Sequence, residues 1–71
     1  MKSDALALPR DARGEAIRLG DAVEFRGEEW LVESLRFFDG GCLVRMQKRD
    51  GSRVDFCEPD ECSHVAQARL F

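Results

Sequence analysis

Apolar and polar residues alternate in short runs from Ile17 onward, and turn residues interrupt the runs every few positions. An alternation with a period of two is typical of strands with one buried face, and clusters of Gly, Asp and Pro mark the turns between them. The first strand is predicted over 22–25, with Val23 and Phe25 on one face, and a hairpin loop over 26–29 follows it. The pattern therefore predicts an all-β fold.

The second predicted strand is long, from Trp30 to about Phe37, and its pattern contains one irregularity. Trp30 and Val32 share a face, but Leu35 has an odd spacing from Val32 and would face the other way in a regular strand. A β-bulge near Glu33 would return Leu35 to the buried face. We therefore predict a bent and twisted strand with Trp30 in the core.

The third and fourth strands form the next predicted hairpin, over 42–48 and 52–57. A two-residue loop between them would set Val54 and Phe56 opposite polar residues. A three-residue loop ending in a left-handed Gly51 would instead set Val54 opposite Met46 and Phe56 opposite Val44. We favour the second register, because it gathers the apolar side chains on one side of the hairpin.

The remaining chain is divided by its turn signals. One turn of 3₁₀ helix is predicted over 58–61, before a short last strand over 62–65. A length of 71 residues allows one domain with a thin core. We predict a flexible N-terminal segment over 1–13, either mobile or held in place through Leu6 and Leu8. A five-stranded domain over 14–66 and a C-terminal tail over 67–71 follow it.

The turn and core positions follow a recognisable order: Gly20-Asp21-x-Val23, Gly27-x-x-Trp30-x-Val32, Asp50-Gly51 and Glu58-Pro59-Asp60-Glu61-Cys62. In this order the sequence resembles the SH3-like small β-barrels, including Tudor-like and KOW-like domains, from about Leu19 to Val65. The resemblance implies a five-stranded, partly open barrel that binds peptides, modified side chains or nucleic acid. Where such barrels often have Leu or Ile after the Pro-x-Glu turn, this chain has Cys62.

Composition narrows the functional classes. A net charge of −3 gives no general attraction to nucleic acid or to an anionic membrane, and no apolar run approaches the roughly 20 residues of a membrane span. Three cysteines is an odd number, whereas small secreted domains usually pair theirs, so we expect a cytoplasmic protein. We expect no cofactor and no small-molecule substrate, because a thin domain has little room for a closed pocket.

The candidates for reactive or metal-ligating chemistry are Cys42, Cys57, Cys62 and His64. The cysteines are separated by fourteen and four residues, whereas zinc sites use close pairs. The favoured register points Cys57 outward, so we interpret it as a surface thiol and Cys42 and Cys62 as small core residues. A zinc site is the alternative. A Cys–His catalytic pair would lack an orienting third group, so we expect no enzymatic activity.

Two groups of residues are candidates for binding. Phe37 and Phe38 are neighbours on a strand and face opposite sides, so one of them should be exposed unless another segment or a partner covers it. The chain has no tyrosine, which argues against an aromatic cage for methyl-lysine. The second group consists of cations on the third and fourth strands that either contact phosphates or are simply solvated: Arg45, Lys48, Arg49 and Arg53.

These observations predict a small non-enzymatic binding module. Our first hypothesis is a protein–protein adaptor that uses an exposed strand edge, the two phenylalanines and the charged hairpin. One alternative is nucleic-acid binding through the basic hairpin. Another is a small acidic inhibitor from a phage or mobile element that covers a partner's nucleic-acid-binding surface. No feature of the sequence identifies the partner.

Overall fold

Five antiparallel strands form a single sheet in the computed structural model, which describes residues 8–65. The strands are β1 (Ala22–Phe25), β2 (Glu28–Phe38), β3 (Gly41–Gln47), β4 (Val54–Cys57) and β5 (Ser63–His64). Their order in the sheet is β4-β3-β2-β1-β5, so β4 and β5 are its edges. A 3₁₀ turn, Pro59–Glu61, precedes β5. The all-β prediction is confirmed.

The ends of the chain are only partly described. Residues 1–7 of the predicted N-terminal segment and the whole predicted tail over 67–71 lie outside the described residues. Between residues 8 and 65, no helix combines the length and the apolar character required to cross a membrane.

β1 and β2 are joined by a turn of two residues, Arg26 and Gly27, which have φ angles of 55° and 79°. Two positive φ angles in succession give a turn whose twist matches that of the flanking strands, so Phe25 pairs directly with Glu28. The predicted four-residue loop over 26–29 is therefore wrong, because Glu28 and Glu29 belong to β2.

β2 contains a bulge at Glu33, where its register against β3 shifts between Val32 and Ser34. Val32 before the bulge is buried, and Leu35 after it packs against the same core. The predicted bulge is confirmed. The extra residue lets this 11-residue strand bend while keeping both apolar side chains on the inner face.

The register between β3 and β4 differs from the prediction. Gln47 pairs with Val54 and Arg45 pairs with Phe56, so Val54 and Phe56 lie exposed on the outer face of the sheet. The loop between the strands is closed by a hydrogen bond from the Lys48 amide to the Arg53 carbonyl, at 2.9 Å. The prediction that Val54 and Phe56 face inward is therefore wrong.

The contacts of Trp30 agree with this register. Its buried ring lies on the inner face, with the Lys48 ammonium 4.5 Å and the Arg53 guanidinium 5.2 Å from the ring centroid. Both cations also pair with Glu28. A shift of one residue would turn Arg53 away from Trp30 and Glu28, so cation–π contacts and ion pairs favour the observed register.

One core lies on the inner face of the sheet. Its buried members are Ile17, Val23, Phe25, Trp30, Val32, Val44, Met46, Cys57 and Cys62. The prediction that Trp30 is a core residue is confirmed. Ile17 comes before the first strand and is fully buried, so the chain preceding β1 contributes to the core.

Residues 9–17 form a loop, here called the N-terminal loop, that folds back on itself. Arg10 and Ala16 form an isolated β-bridge, and the Ile17 amide donates to the Pro9 carbonyl at 2.9 Å. The Ala12 amide donates to the Cys62 carbonyl at 2.8 Å. The N-terminal loop is therefore attached to the chain just before β5.

Candidate functional site

Phe37 and Phe38 end β2, at the turn that leads into β3. Their side chains are 49% and 54% exposed, so both members of the pair are accessible where alternation predicts at least one. The Phe38 ring lies over Gly41, its partner on β3, and a Cβ atom at Gly41 would lie 3.1 Å from the Phe38 Cε1 atom. Glycine at this position therefore lets the ring lie close against the strand.

A groove of about 350 Å³ opens beside Phe38. Its lining residues are Arg10, Phe38, Gly40, Gly41, Cys42, Glu58, Pro59 and Asp60. The Arg10 guanidinium donates to the Gly14 carbonyl at 2.8 Å, and Asp60 makes no ion pair with any of the described residues. The groove thus combines an aromatic ring and a proline with a rim that has two carboxylates and one guanidinium.

The four predicted cations lie at the β3–β4 turn or on the neighbouring strand, and each is paired with a glutamate of β2. The pairs, with their N–O distances, are Arg45–Glu33 (3.3 Å), Lys48–Glu28 (2.7 Å), Arg49–Glu29 (2.9 Å) and Arg53–Glu28 (3.0 Å). Hydrogen bonds from Lys48 and Arg53 lower the pKa of Glu28 to about 2. The sheet therefore places a glutamate side chain beside every cation of this group.

The structure does not bring the two predicted binding groups together. The phenylalanines lie beside Gly41, at the start of β3, and the cations extend around its other end at Gln47. Seven residues of an antiparallel strand span roughly 20 Å. The single contact surface that the first hypothesis requires is therefore two separate surfaces.

The outer side of β4 carries an apolar surface that the sequence reading missed. Val54 and Phe56 are exposed there, and the Arg45 guanidinium lies 6.0 Å from the centroid of the Phe56 ring. The Phe56 amide donates to the Asp55 Oδ1 atom at 2.8 Å. Successive amides of β4 point alternately toward β3 and toward the free edge. Counted from the Lys48–Arg53 pair, the Phe56 amide points toward the free edge. The Asp55 carboxylate therefore accepts from a donor that an added strand would use.

The most connected polar cluster surrounds His64, the single histidine of the chain. Its Nδ1 atom lies 2.7 Å from Asp11 Oδ2, and its Nε2 atom lies 2.7 Å from Asp21 Oδ2. Only a doubly protonated ring can donate to both carboxylates at once. Burial opposes the charge, but hydrogen bonds to Asp21 and Asp11 outweigh burial and raise the pKa of His64 above its ordinary value of 6.5.

Asp11 is itself buried and accepts further hydrogen bonds from the backbone. The amides of Arg13, Glu15 and His64 donate to its carboxylate at 2.9, 2.8 and 2.9 Å. Burial favours the neutral acid, but these donors and the His64 ring outweigh it and hold the pKa of Asp11 well below its ordinary 3.8. Sequence reasoning missed this cluster, because its local signal is only an Asp followed by Gly14, which is typical of any turn.

Asp11, Glu15 and His64 form the one group in residues 8–65 whose nitrogen and carboxylate atoms lie close enough to share a metal ion. The hydrogen bonds argue for a different role. The Asp11 carboxylate already faces four N–H groups, and both ring nitrogens of His64 face carboxylates. We therefore interpret these side chains as a hydrogen-bonded network.

Cys62 is buried in the core as predicted, but Cys57 is placed differently from the prediction. Cys57 is only 3% exposed, because the β3–β4 register turns it inward, where its Sγ atom lies 3.7 Å from Met46 Sδ. The prediction of a surface thiol at Cys57 is therefore wrong. Contact with Cys62, together with burial, raises the pKa of the Cys57 thiol. Among the described residues, the three cysteines and His64 do not gather into one metal-ligating group.

Comparisons with known proteins found no matching family model, no matching curated protein and no matching solved structure. The interpretation of function therefore depends on the surfaces described above. They are the phenylalanine pair with its groove, the paired cations of the β3–β4 hairpin and the His64 network.

Proposed function

We propose that this chain is a non-enzymatic protein-binding module that contacts its partner through the Phe37–Phe38 surface. This surface consists of the two phenylalanines and the neighbouring groove between Arg10 and Pro59. The carrying observation is that two adjacent aromatic side chains are each about half exposed at one end of the sheet. Aromatic residues supply much of the binding energy in protein interfaces, and exposed apolar patches beside polar rims mark such interfaces.

We further propose that the sheet is a partly open barrel of the SH3-like type. The strand order supports this, with a long second strand bent by a bulge and a 3₁₀ turn before the last strand. SH3-like barrels serve mainly as binding modules, which agrees with the proposed role but does not select a partner. The three free cysteines are compatible with the proposed cytoplasmic location.

The groove also supports a partner of defined chemistry. Phe38 and Pro59 offer apolar contact, while Glu58 and Asp60 add negative charge to the rim. A segment that carries an aliphatic side chain next to a lysine or arginine complements both features. The net charge of −3 acts in the same direction over longer distances.

Nucleic-acid binding through the β3–β4 hairpin is the weaker candidate. Each cation offered for phosphate contact is already paired with Glu28, Glu29 or Glu33, so binding would have to replace those pairs. An inhibitor that covers a partner's nucleic-acid-binding surface is a special case of protein binding. The identity of the partner separates an inhibitor from an adaptor.

The test is a double substitution, Phe37→Ser with Phe38→Ser, compared with Leu19→Ser as a control. Leu19 is 64% exposed and is not among the residues that line the groove. Each tagged protein is incubated with lysate from the source cells, with and without nuclease treatment, and captured proteins are quantified by mass spectrometry. Affinity for the captured partner, once purified, should fall at least roughly tenfold in the double variant, since losing an aromatic anchor costs about 2 kcal/mol or more.

The control variant should bind like the wild type. Circular dichroism confirms that each variant is folded before binding is compared. A folded double variant that captures the same partner with unchanged affinity would show that the Phe37–Phe38 surface is not the contact site. Capture that requires intact nucleic acid would instead favour the β3–β4 hairpin.

A further inference from the structure

The side chains of Asp11, Asp21 and His64, here called the His64 clasp, join three separate parts of the fold. Asp11 belongs to the N-terminal loop, Asp21 lies in the turn before β1, and His64 lies in β5. The clasp therefore ties the N-terminal loop and an edge strand to the start of the sheet, and none of its three residues lines the groove beside Phe38.

We propose that the His64 clasp is a proton-dependent latch, closed when both ring nitrogens carry a proton and loosened when one proton leaves. An imidazolium donates to both carboxylates, whereas a neutral imidazole has one donor and one lone pair. In the neutral state one carboxylate oxygen therefore faces a lone pair across 2.7 Å. That repulsion is relieved only if the carboxylate or the ring moves.

The surroundings indicate which contact opens. The Asp11 side chain is fully buried and keeps three backbone donors, so it remains in place without the second ring proton. The Asp21 side chain is 28% exposed and has one other donor, the Arg18 amide at 2.9 Å. Because Asp21 can turn toward water at lower cost, the neutral ring keeps its Nδ1 proton and releases Asp21.

Charged and titratable groups around the ring come from every element packed against it. They are Asp11, Arg13 and Glu15 of the N-terminal loop, Asp21 before β1 and the Cys62 thiol before β5. Glu15 Oε1 lies 3.5 Å from His64 Nδ1, and Arg13 donates to the His64 carbonyl at 2.9 Å. Three carboxylates against one guanidinium favour the protonated ring.

The sign of the pH dependence follows from the two shifted groups. The pKa of His64 is raised, so its stabilisation is fully present below 6.5 and is lost as the pH rises through the folded-state pKa. The pKa of Asp11 is lowered, so its stabilisation is present above 3.8 and is lost as the pH falls through the folded-state pKa. The His64 clasp therefore contributes most to folding stability between pH 3.8 and 6.5.

The test uses the fact that the chain has one histidine, whose ring gives a single set of NMR resonances. The wild type, Asp21→Asn and Glu15→Gln proteins are titrated from acid to alkaline pH, and their unfolding equilibria are measured by urea at both ends. Asparagine keeps an acceptor for Nε2 but removes the charge, so the fold is retained. Glu15 is exposed and more distant, which makes Glu15→Gln the matched control.

The wild-type ring should titrate above pH 6.5, and Asp21→Asn should lower that midpoint clearly more than Glu15→Gln does. As the pH rises through the midpoint, the folding equilibrium constant should fall. The fall should be about tenfold for each pH unit by which the wild-type midpoint exceeds 6.5, and smaller in Asp21→Asn. The Ala12 and Asp21 amide resonances should change with the same midpoint. A ring that titrates at or below 6.5, or an Asp21→Asn protein that titrates like the wild type, would overturn the proposal.

Discussion

The buried thiol of Cys57 is protected from thiol reagents in two ways. Cys57 contacts Met46 and Cys62, which excludes reagents, and its raised pKa leaves little thiolate. Burial also raises the pKa of Cys42, but this side chain is only half-buried on β3. Among the three thiols, Cys42 is therefore the one that a reagent reaches in the folded protein.

We predict that iodoacetamide at pH 8 modifies Cys42 at least about tenfold faster than Cys57 in the folded protein, because alkylation requires an accessible thiolate. Time-resolved peptide mass spectrometry measures the two rates, and a sample in urea supplies the unprotected rates. If Cys57 reacted as fast as Cys42, the β3–β4 register would be the one that points Cys57 outward.

For single residues, the alternation of apolar and polar side chains predicted the bulge in β2 correctly but the orientation of β4 wrongly. Val32 and Leu35 are large and apolar at an odd spacing, so only a bulge buries both, and the bulge is present. Val54 and Phe56 are equally apolar, yet both face outward, and the inner face of β4 carries Cys57. The Arg53 guanidinium lies over Trp30 and pairs with Glu28. A pattern of apolar residues contains no information about such contacts between distant side chains.

Among the structural elements, the N-terminal loop adds a core residue and a hydrogen bond to the five-stranded sheet. Ile17 at its end is fully buried, and Ala12 donates to the Cys62 carbonyl. Part of the segment predicted to be flexible, residues 8–13, thus contacts the sheet. The sequence does not reveal this, because Asp11 and His64 are 53 residues apart and no local pattern links them.

We predict that Ile17→Ala lowers the free energy of unfolding by about 2–5 kcal/mol, the usual cost of truncating a buried aliphatic side chain. Urea unfolding followed by the fluorescence of Trp30 gives this value. Leu19→Ala, at an exposed position two residues later, should change stability by no more than about 0.5 kcal/mol. Equal effects of both substitutions would mean that the N-terminal loop is not part of the core.

For the whole molecule, the arrangement of charge matters more than its sum. The net charge is −3, but the β3–β4 hairpin carries a local group of cations. A glutamate of β2 pairs with each of these cations. The sequence shows the cations and the glutamates in separate segments, and only strand pairing brings them together. The cations of the candidate basic site could therefore be predicted from the sequence, but their ion pairs with the β2 glutamates could not.

We predict that Glu28→Gln with Glu29→Gln increases affinity for single-stranded DNA and steepens its salt dependence, by about 0.7 in log–log slope per cation freed for phosphate contact. Fluorescence anisotropy at several salt concentrations measures both quantities. Asp39→Asn with Asp60→Asn removes the same charge at the other end of β3, beside Phe38 and Gly41, and should have a smaller effect. Equal effects of the two double variants would assign the change to net charge rather than to unmasked cations.

The pairing of β1 with β5 has a consequence for how the protein is made. Val23 pairs with His64, so the β1 side of the sheet stays open until the last described strand has left the ribosome. The β1–β2 and β2–β3 hairpins can form earlier, because their contacts are local. A translation product that stops before Ser63 would present the unpaired edge of β1 and an unlatched N-terminal loop, features that favour aggregation and capture by chaperones.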